Sequence, residues 1–498
     1  MPAYTLKRYQ EQALLALEKY LRAARVQGAR SAFESETGYG YNVQPFRDVP
    51  CVCLRIPTGG GKTLLAAHAI GRLSREWPSL SASKPLALWL VPSETIRAQT
   101  LAALASTGHP FREALVQACG DSVRVCDLDE VATLAPQDYD ARAVVVVATI
   151  QSFRIEDTEQ RNVYAFSEAF EPHFRVVAAP ALDALRQLPN AVVTAEEVAA
   201  DKAGRAMLAR FVGQPRWSLA NWLALRRPYL IVDEAHNTKT ERSFEALQRL
   251  NPSAILELTA TPVPKHTNVL FHVSAQQLQA EDMIKMPIQL MEHTRGWQAA
   301  GLAAVQNQRW LEAEAQQEEA ATGTYIRPIV LLQAQNSTEP VNVDVLRAHL
   351  IEELHIPEGY VKVATGTQRE LEGLDLASRA CPVRYVITVQ ALREGWDCPF
   401  AYVLCSVQSV RSATAIEQLL GRVLRMPYAA RRSRPALNKA YAHVSESQTG
   451  MAANALADRL IDGMGFDPLD MASMIAPQLP LELAAEVDAG PLFAQPRA

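Results

Sequence analysis

Residues 51–63 read CVCLRIPTGGGKT, so an apolar run, a glycine-rich turn and a lysine follow one another directly. The apolar run lacks polar alternation, which predicts a strand buried on both faces of a parallel sheet. Glycines let the backbone turn tightly and present its N–H groups to phosphate oxygens. In such a loop Lys62 reaches the outer phosphates and Thr63 binds Mg²⁺. The loop residues are Pro57, Thr58, Gly59, Gly60 and Gly61.

The loop departs from the general phosphate-loop pattern GxxxxGK[ST] at its first position, where this chain has Ile56. Taken alone, the motif leaves open a glycine-rich turn with an incidental lysine. The following residues favour phosphate binding, because 64–76 has a helical pattern. A helix that starts at about Thr63 adds its positive dipole end to the loop.

Further apolar runs alternate with helical patterns along the chain. This rhythm predicts an α/β fold of two tandem parallel sheets, each flanked by helices. The runs after the first are 86–91, 143–148, 229–233 and 254–258, and then 328–333, 360–364, 384–389 and 401–407.

The spacing of these runs predicts the domain organisation. The segment 154–228 is much longer than an ordinary crossover and contains helical patterns at 197–211 and 218–226. A helix is also expected over 298–320 and another over 452–464, with little structure after it. The predicted limits are 1–268 for a first domain with a helical insertion at about 154–228, 269–325 for a linker and helix, 326–445 for a second domain, and 446–498 for an acidic tail.

Composition excludes several classes of protein. Of the 498 residues, 48% are apolar and 21% charged, as in ordinary globular proteins, and no run approaches eighteen apolar residues. Seven cysteines without a CxxC pair argue against a zinc site or a disulfide framework, so we expect a reducing cytoplasm and no membrane. Residues 440–498 hold two basic and eight acidic residues, a balance of −6, which leaves +1 of the total −5 on the rest. That near-neutral body neither supports nor excludes a nucleic-acid partner.

The second motif is YLIVDEAHN, 229–237, in which an apolar run ends in two carboxylates. The run places them at the carboxyl edge of a parallel sheet, where α/β proteins bind ligands. There Asp233 would hold Mg²⁺, and Glu234 would orient or deprotonate an attacking water. The same string standing alone is also compatible with a helix start.

Two further motifs carry polar groups. In LTATPVP, 258–264, the hydroxyls of Thr259 and Thr261 either link the phosphate site to a nucleic-acid groove or cap the next turn. VQALREGWDCP, 389–399, contains Gly395 and Asp397 in a close turn.

The last motif, EQLLGRVLRMP at 417–427, places Gln418, Arg422 and Arg425 on one predicted helix face. Guanidinium groups suit bidentate contact with phosphate, so the arginines would stabilise charge on a transferring phosphoryl group. A solvated basic helix face is the alternative.

Together and in this order, the motifs resemble those of superfamily-two DEAD/DEAH-box helicases and translocases. Five segments resemble in particular the sequence of the Res subunit of type III restriction enzymes, namely 144–154, 227–237, 251–262, 385–407 and 412–429. The resemblance implies two tandem RecA-like domains that bind and hydrolyse ATP with Mg²⁺. It implies Lys62, Thr63, Asp233 and Glu234 from the first domain, and Gln418, Arg422 and Arg425, with Gly395 and Asp397, from the second.

The resemblance also implies roles for residues that the sequence pattern alone does not single out. Gln10 in LKRYQEQA matches the family's adenine-reading glutamine, and His236 matches the residue that couples hydrolysis to movement. The residues expected to contact the nucleic-acid backbone are Pro92, Ser93, Arg97, Thr149 and Gln151.

These features predict a nucleic-acid-dependent ATPase that moves on or remodels DNA, expected to be duplex, in a type III restriction-like or related defence system. The nuclease domain of full-length Res subunits needs a lysine, and the last lysine here is Lys439, so we expect no endonuclease domain. The chain is then expected to work as a motor alone, to depend on a separate partner such as a modification methyltransferase subunit or a nuclease, or to be a truncated form. The alternatives are an RNA or single-strand helicase, and a truncated remnant that binds DNA without catalysis.

Overall fold

The structure is a computed structural model. It describes residues 5–42, 46, 49–78, 84–154, 163–200, 208–238, 240–365, 368–371, 373–389, 398–407, 414–445, 451–462, 464–468 and 474–478. The chain divides into two compact units. The first comprises Met1–Ile56 and Gly61–His272, and the second comprises Pro57–Gly60 and Val273–Ala498.

The first unit is built around a seven-stranded parallel sheet of order β3-β4-β2-β5-β6-β1-β7. Its central strands are buried along their whole length, as apolar runs covered on both faces require. The strands are β1 (Cys51–Arg55), β2 (Leu86–Val91), β3 (Val123–Cys126), β4 (Ala143–Thr149), β5 (Tyr229–Asp233), β6 (Ala254–Thr259) and β7 (Val269–His272).

Helices flank this sheet, and several begin at residues that suit helix N-termini. Ser93, Asp127, Ser218 and Thr240 each accept a backbone N–H of the first turn through the side chain. The helices are α1 (Arg8–Gln27), α2 (Ala29–Thr37), α3 (Lys62–Glu76), α4 (Glu94–Ala105), α5 (Pro110–Cys119), α6 (Leu128–Val131), α7 (Asp138–Ala141), α8 (Glu171–Arg175), α9 (Ala179–Leu185), α10 (Ala195–Ala200), α11 (Leu219–Arg226) and α12 (Glu241–Arg249).

The predicted insertion between β4 and β5 folds as short helices, α8 to α11, and buried polar contacts hold its segments together. Arg216 is 7% exposed and donates to the carbonyls of Tyr164 and Val192. The expected helix over 197–211 is observed only as α10 and a 3₁₀ turn at Leu208–Phe211, and 201–207 lies outside the described residues.

The second unit contains another seven-stranded parallel sheet, of order β10-β11-β9-β12-β13-β8-β14. Its strands are β8 (Ile288–His293), β9 (Ile329–Gln333), β10 (Val361–Val363), β11 (Tyr385–Thr388), β12 (Ala401–Ser406), β13 (Ala440–Ser445) and β14 (Ile475–Gln478). Its helices are α13 (Ala275–Ala280), α14 (Trp297–Thr322), α15 (Val343–Ala348), α16 (Thr414–Val423) and α17 (Met451–Asp462). None of the helices that the structure describes is long and apolar enough to cross a membrane.

Two segments carry more sheet than the sequence indicates. Residues 269–325, expected to be a linker and a helix, contain the strands β7 and β8 as well as α14. The acidic tail contains α17, as expected, and then β14, which pairs with β8. These strands escape prediction because they are short or carry polar residues such as Gln289 and His293. The predicted domain limits stay a prediction.

Both sheets are parallel throughout their described pairs and are flanked by helices. This arrangement confirms the predicted fold class, two tandem RecA-like domains with a helical insertion in the first.

Candidate functional site

The phosphate loop lies between β1 and α3, the context that its motif requires. Gly60 donates its backbone N–H to Pro57 O at 3.1 Å, which closes the turn. Gly59 and Gly61 have φ of 88° and 72°, in the left-handed region that glycine adopts without strain. Because α3 begins at Lys62, the free N–H groups of its first turn lie beside the loop and form an anion-binding end.

The two carboxylates follow β5, and the loop lysine meets one of them. Nζ of Lys62 lies 2.8 Å from Oε1 of Glu234, with side chains 11% and 31% exposed. Glu234 has φ of 49°, and its N–H donates to Oδ1 of Asp233 at 3.0 Å. The left-handed backbone of a non-glycine residue is strained, which is common where a side chain must be held in place.

Burial and the neighbouring Glu234 charge raise the pKa of Asp233 to about 6, although Lys62 and the Glu234 N–H oppose the rise. The site therefore concentrates negative charge that a divalent cation would neutralise. Thr63, the second residue of α3, supplies a hydroxyl, and carboxylate and hydroxyl oxygens are the ligands that Mg²⁺ prefers. These residues fit the expected metal.

Thr259 connects the carboxylate motif to the next strand. Its hydroxyl lies 3.0 Å from Nδ1 of His236 and accepts the N–H of Thr261 at 3.2 Å. Nδ1 of His236 also lies 3.5 Å from Oε2 of Glu234. Since β6 runs between β5 and β1, the side chain of Thr259, which is 1% exposed, sits between the two phosphate motifs.

Four of the five residues expected to contact nucleic acid lie at the ends of β2 and β4, on the other half of the same sheet edge. Gln151 Nε2 donates to Pro92 O at 3.1 Å, and the hydroxyl of Thr149 lies 3.1 Å from that of Ser152. Ser93 caps α4 by accepting the N–H of Ile96. The structure thus brings these residues together on neighbouring strands.

Arg97, the fifth, is held by two acidic side chains, Glu94 and Asp127, that were not predicted to be near it. Its Nε donates to Glu94 Oε1 at 2.7 Å, and its guanidinium lies 3.5 Å from Asp127. A phosphate at this position would compete with both carboxylates. The pattern that would have revealed Asp127 is its capping box with Glu130 at the start of α6.

Gln10 lies in the first turn of α1 and is 1% exposed. Its Oε1 accepts the N–H of Lys7 at 3.0 Å. Helix α1 packs against α3, the helix that begins at Lys62.

In the second unit, the prediction that Arg425 shares a helix face with Gln418 and Arg422 is wrong. Arg425 does not share a helix face with Gln418 and Arg422, because α16 ends at Val423 and Arg425 forms an antiparallel bridge with Ile284. The cause is Pro427, since a residue before proline prefers extended backbone, and Met426 has ψ of 127°.

Arg422 is 7% exposed near the end of α16. Gln418 lies on the same helix, and its side chain is outside the described part of the structure. Gly395 and Asp397 also lie outside the described residues.

Comparison with known proteins gives a family. The model of the family described as "Type III restriction enzyme, res subunit" matches residues 3–264, more than half of the chain. No curated protein matches the sequence significantly.

Three solved structures illustrate the likeness in fold. The ATP-dependent Type ISP restriction-modification enzyme LlaBIII bound to DNA is 13% identical with a TM-score of 0.49, and the alignment covers 97% of this chain and 32% of that one. Dbp5 of S. cerevisiae bound to RNA and ADP BeF3 is 13% identical with a TM-score of 0.40, covering 97% and 96%. Helicase Lhr of Mycobacterium smegmatis bound to ssDNA and AMP-PNP is 14% identical with a TM-score of 0.39, covering 94% and 52%.

This chain thus spans 32% of the length of the LlaBIII enzyme. The family match stands on the sequence itself and covers the phosphate loop, both carboxylates and the two threonines of β6 and its following turn. The chain belongs to the Res-subunit family of type III restriction enzymes.

Proposed function

We propose that this chain is an ATP-dependent DNA motor that hydrolyses ATP to ADP and phosphate to move on, or remodel, duplex DNA. The observation that carries the proposal is the contact of Lys62 with Glu234, 2.8 Å apart at the edge of the first sheet. It joins a phosphate-binding cation to the group that would activate water. Family membership supports a role in a type III restriction-like or related defence system.

Each residue has a role that its chemistry suits. Lys62 would bind the outer phosphates, and the N-terminus of α3 would add backbone donors. Thr63 and Asp233 would hold Mg²⁺, which neutralises charge on the phosphate oxygens. A triphosphate competes with Glu234 for Lys62, and the carboxylate so released would orient or deprotonate the attacking water.

The other roles stay as the resemblance implies. We propose that Gln10 reads the adenine, and that the second domain contributes Gln418, Arg422 and Arg425 to the phosphoryl group, with Gly395 and Asp397 in the nucleotide site. His236 would couple hydrolysis to movement through Thr259, which it contacts at 3.0 Å.

We propose that DNA binds along the half of the sheet edge formed by β2 and β4. Pro92, Ser93, Thr149 and Gln151 would contact its backbone there, and Arg97 would exchange a carboxylate partner for a phosphate. Since β5, β6 and β1 continue the same sheet, nucleotide and nucleic acid would occupy two halves of one edge. A methyltransferase subunit or a separate nuclease is the proposed protein partner.

The test is the rate of ATP hydrolysis by the full chain with duplex DNA, single-stranded DNA or RNA of matched length. We expect duplex DNA to stimulate most, and Lys62→Ala to abolish hydrolysis with every nucleic acid. Stimulation by RNA or single strands alone would favour a helicase on those substrates. Folded protein with no hydrolysis under any condition would favour a non-catalytic remnant.

A further inference from the structure

A short segment of the second unit, residues 283–286, pairs with the residues that follow helix α16. Ile284 and Arg425 form an antiparallel bridge. Two backbone hydrogen bonds of 2.7 and 3.1 Å flank it, from Lys285 N–H to Leu424 O and from Met426 N–H to Met283 O. In such a pair the two opposite side chains lie close together on one face of the ribbon. The segment therefore decides where the side chain of Arg425 begins.

Lys285, the next residue of the segment, is fully buried. Because successive side chains of an extended segment point to opposite faces, its side chain leaves the bridge on the face away from Arg425. Its Nζ donates to Ala401 O at 2.5 Å and to Pro399 O at 3.2 Å, and lies 3.7 Å from the centroid of the Tyr402 ring. The amine thus fastens the segment to the start of strand β12.

A lysine at this place needs a physical reason, since lysine side chains are almost never fully buried. The pairing of β12 with β9 shifts register between Ala401 and Val403, so the Ala401 carbonyl lies at an irregular place of the sheet. Buried carbonyl groups need a hydrogen-bond donor. Burial lowers the pKa of Lys285 well below 10.5, and both the charged and the neutral amine can donate two bonds. An apolar side chain of the same length would supply no donor to either carbonyl.

We propose that Lys285 is a positioning residue for Arg425, the arginine expected to stabilise charge on the transferring phosphoryl group. The inference rests on the proposed function, because Arg425 has this role only in a motor that hydrolyses ATP. Lys285 holds residues 283–286 against β12, and the bridge to Ile284 holds the backbone of Arg425 beside them. A guanidinium stabilises a transition state when it is preorganised, and a displacement of about 1 Å can cost about 10²-fold in rate.

The test is steady-state ATP hydrolysis by the full chain, with the nucleic acid that stimulates it most. We expect Lys285→Met to lower kcat roughly 10- to 100-fold with little change in KM for ATP, because the arginine acts mainly in the transition state. Arg425→Ala should lower kcat by about 10³-fold or more, as for other arginines that act on phosphoryl groups. The double variant should be no slower than Arg425→Ala, since Lys285 acts through Arg425. A purely structural role of Lys285 predicts no such relation between the two effects.

Two further variants keep the test decisive. Lys362→Met is the matched control, the same substitution in the edge strand β10 of the same sheet, and should leave kcat unchanged. Urea unfolding shows whether each variant is folded. If Lys285→Met does not fold, Ile284→Ala takes its place, because it shortens the side chain opposite Arg425 and keeps the backbone bonds and the amine. It should lower kcat several-fold at unchanged KM.

A normal kcat of folded Lys285→Met, or of Ile284→Ala in its place, beside a slow Arg425→Ala would overturn the positioning role and leave the proposed motor function standing. A double variant roughly tenfold slower than Arg425→Ala would show that Lys285 acts by another route, and would also overturn it. Normal hydrolysis by Arg425→Ala would remove both residues from the mechanism. If the native chain hydrolysed no ATP with any nucleic acid, the proposed function itself would fail.

Discussion

Lys62 and Glu234 form an ion pair, Nζ to Oε1 at 2.8 Å, that joins the phosphate loop to the carboxylate motif within the first unit. The ammonium group also opposes the raised pKa of Asp233. One cation thus compensates two carboxylates in this part of the site. A bound triphosphate would draw Lys62 away and leave both carboxylates to Mg²⁺ and water.

Replacing Glu234 by glutamine should abolish turnover while preserving nucleotide binding. The amide cannot accept a proton from water, so we expect the rate of ATP hydrolysis to fall by about 10²–10⁴. Binding of a fluorescent ATP analogue should hold or tighten, because Lys62 loses its competing carboxylate. Glu245→Gln, an exposed carboxylate on α12, is the control and should change neither property. Normal hydrolysis by Glu234→Gln would remove Glu234 from the mechanism.

Thr259→Val should reduce the stimulation of hydrolysis by nucleic acid. The change keeps the shape of a buried side chain but removes the hydroxyl that lies 3.0 Å from Nδ1 of His236. The measurement is the ratio of hydrolysis rates with and without DNA, which should fall several-fold. Thr261→Val should have a weaker effect, because the contact of Thr261 with Thr259 is made by its backbone N–H, which the substitution keeps. Equal effects of the two substitutions would contradict the assignment.

Strands that lie inside a sheet could be predicted from the sequence, because burial on both faces demands an uninterrupted apolar run. All nine predicted runs form strands, from β1 at Cys51–Arg55 to β12 at Ala401–Ser406. Strand β7 could not be predicted from an apolar run because it is a partly exposed edge strand. Strands β8 and β13 could not be predicted because their histidines interrupt the apolar pattern, and polar contacts such as the one between the two rings make these histidines compatible with burial.

The closeness of the predicted phosphate loop to the two carboxylates was predictable for a related reason, since both follow strands and parallel strands end at one edge. The position of Arg425 was not, because a helical spacing says nothing about where the helix stops. The stacking of Trp217 on Phe166 was also beyond prediction, because these residues are distant in sequence and meet only through the fold of the insertion.

Gly71→Ala should destabilise the first unit. Gly71 lies in α3, which packs against α5, and an added Cβ would meet the Ala118 carbonyl and lie 2.8 Å from the Ala118 Cβ. Because backbone must move to make room, we expect a loss of about 1–3 kcal/mol in the free energy of unfolding by urea. Gly40→Ala is the control, with no heavy atom within 4 Å of its added Cβ, and should change stability by less than about 0.5 kcal/mol. Equal stabilities of the two variants would contradict this close packing.

His443 and His293 form a buried pair between β13 and β8. Nδ1 of His443 lies 3.1 Å from Nε2 of His293, and the rings stack with centroids 5.3 Å apart. On the other side, Asn307 of α14 lies 3.3 Å from Nε2 of His443. Burial, with His293 beside it, lowers the pKa of His443 from 6.5 to about 3. The folded chain therefore keeps this ring neutral at pH values where the unfolded chain would protonate it.

Acid should consequently destabilise the second unit through His443. Between pH 6.5 and about 3 the unfolded state binds the extra proton, so the free energy of unfolding falls as pH falls, and the contribution is complete above pH 6.5. The slope is at most about 1.4 kcal/mol per pH unit for one histidine. Urea unfolding across this range should show a shallower slope for His443→Asn than for the native chain. His355→Asn, at an exposed histidine, should keep the native slope, and identical slopes for all three proteins would contradict a neutral buried His443.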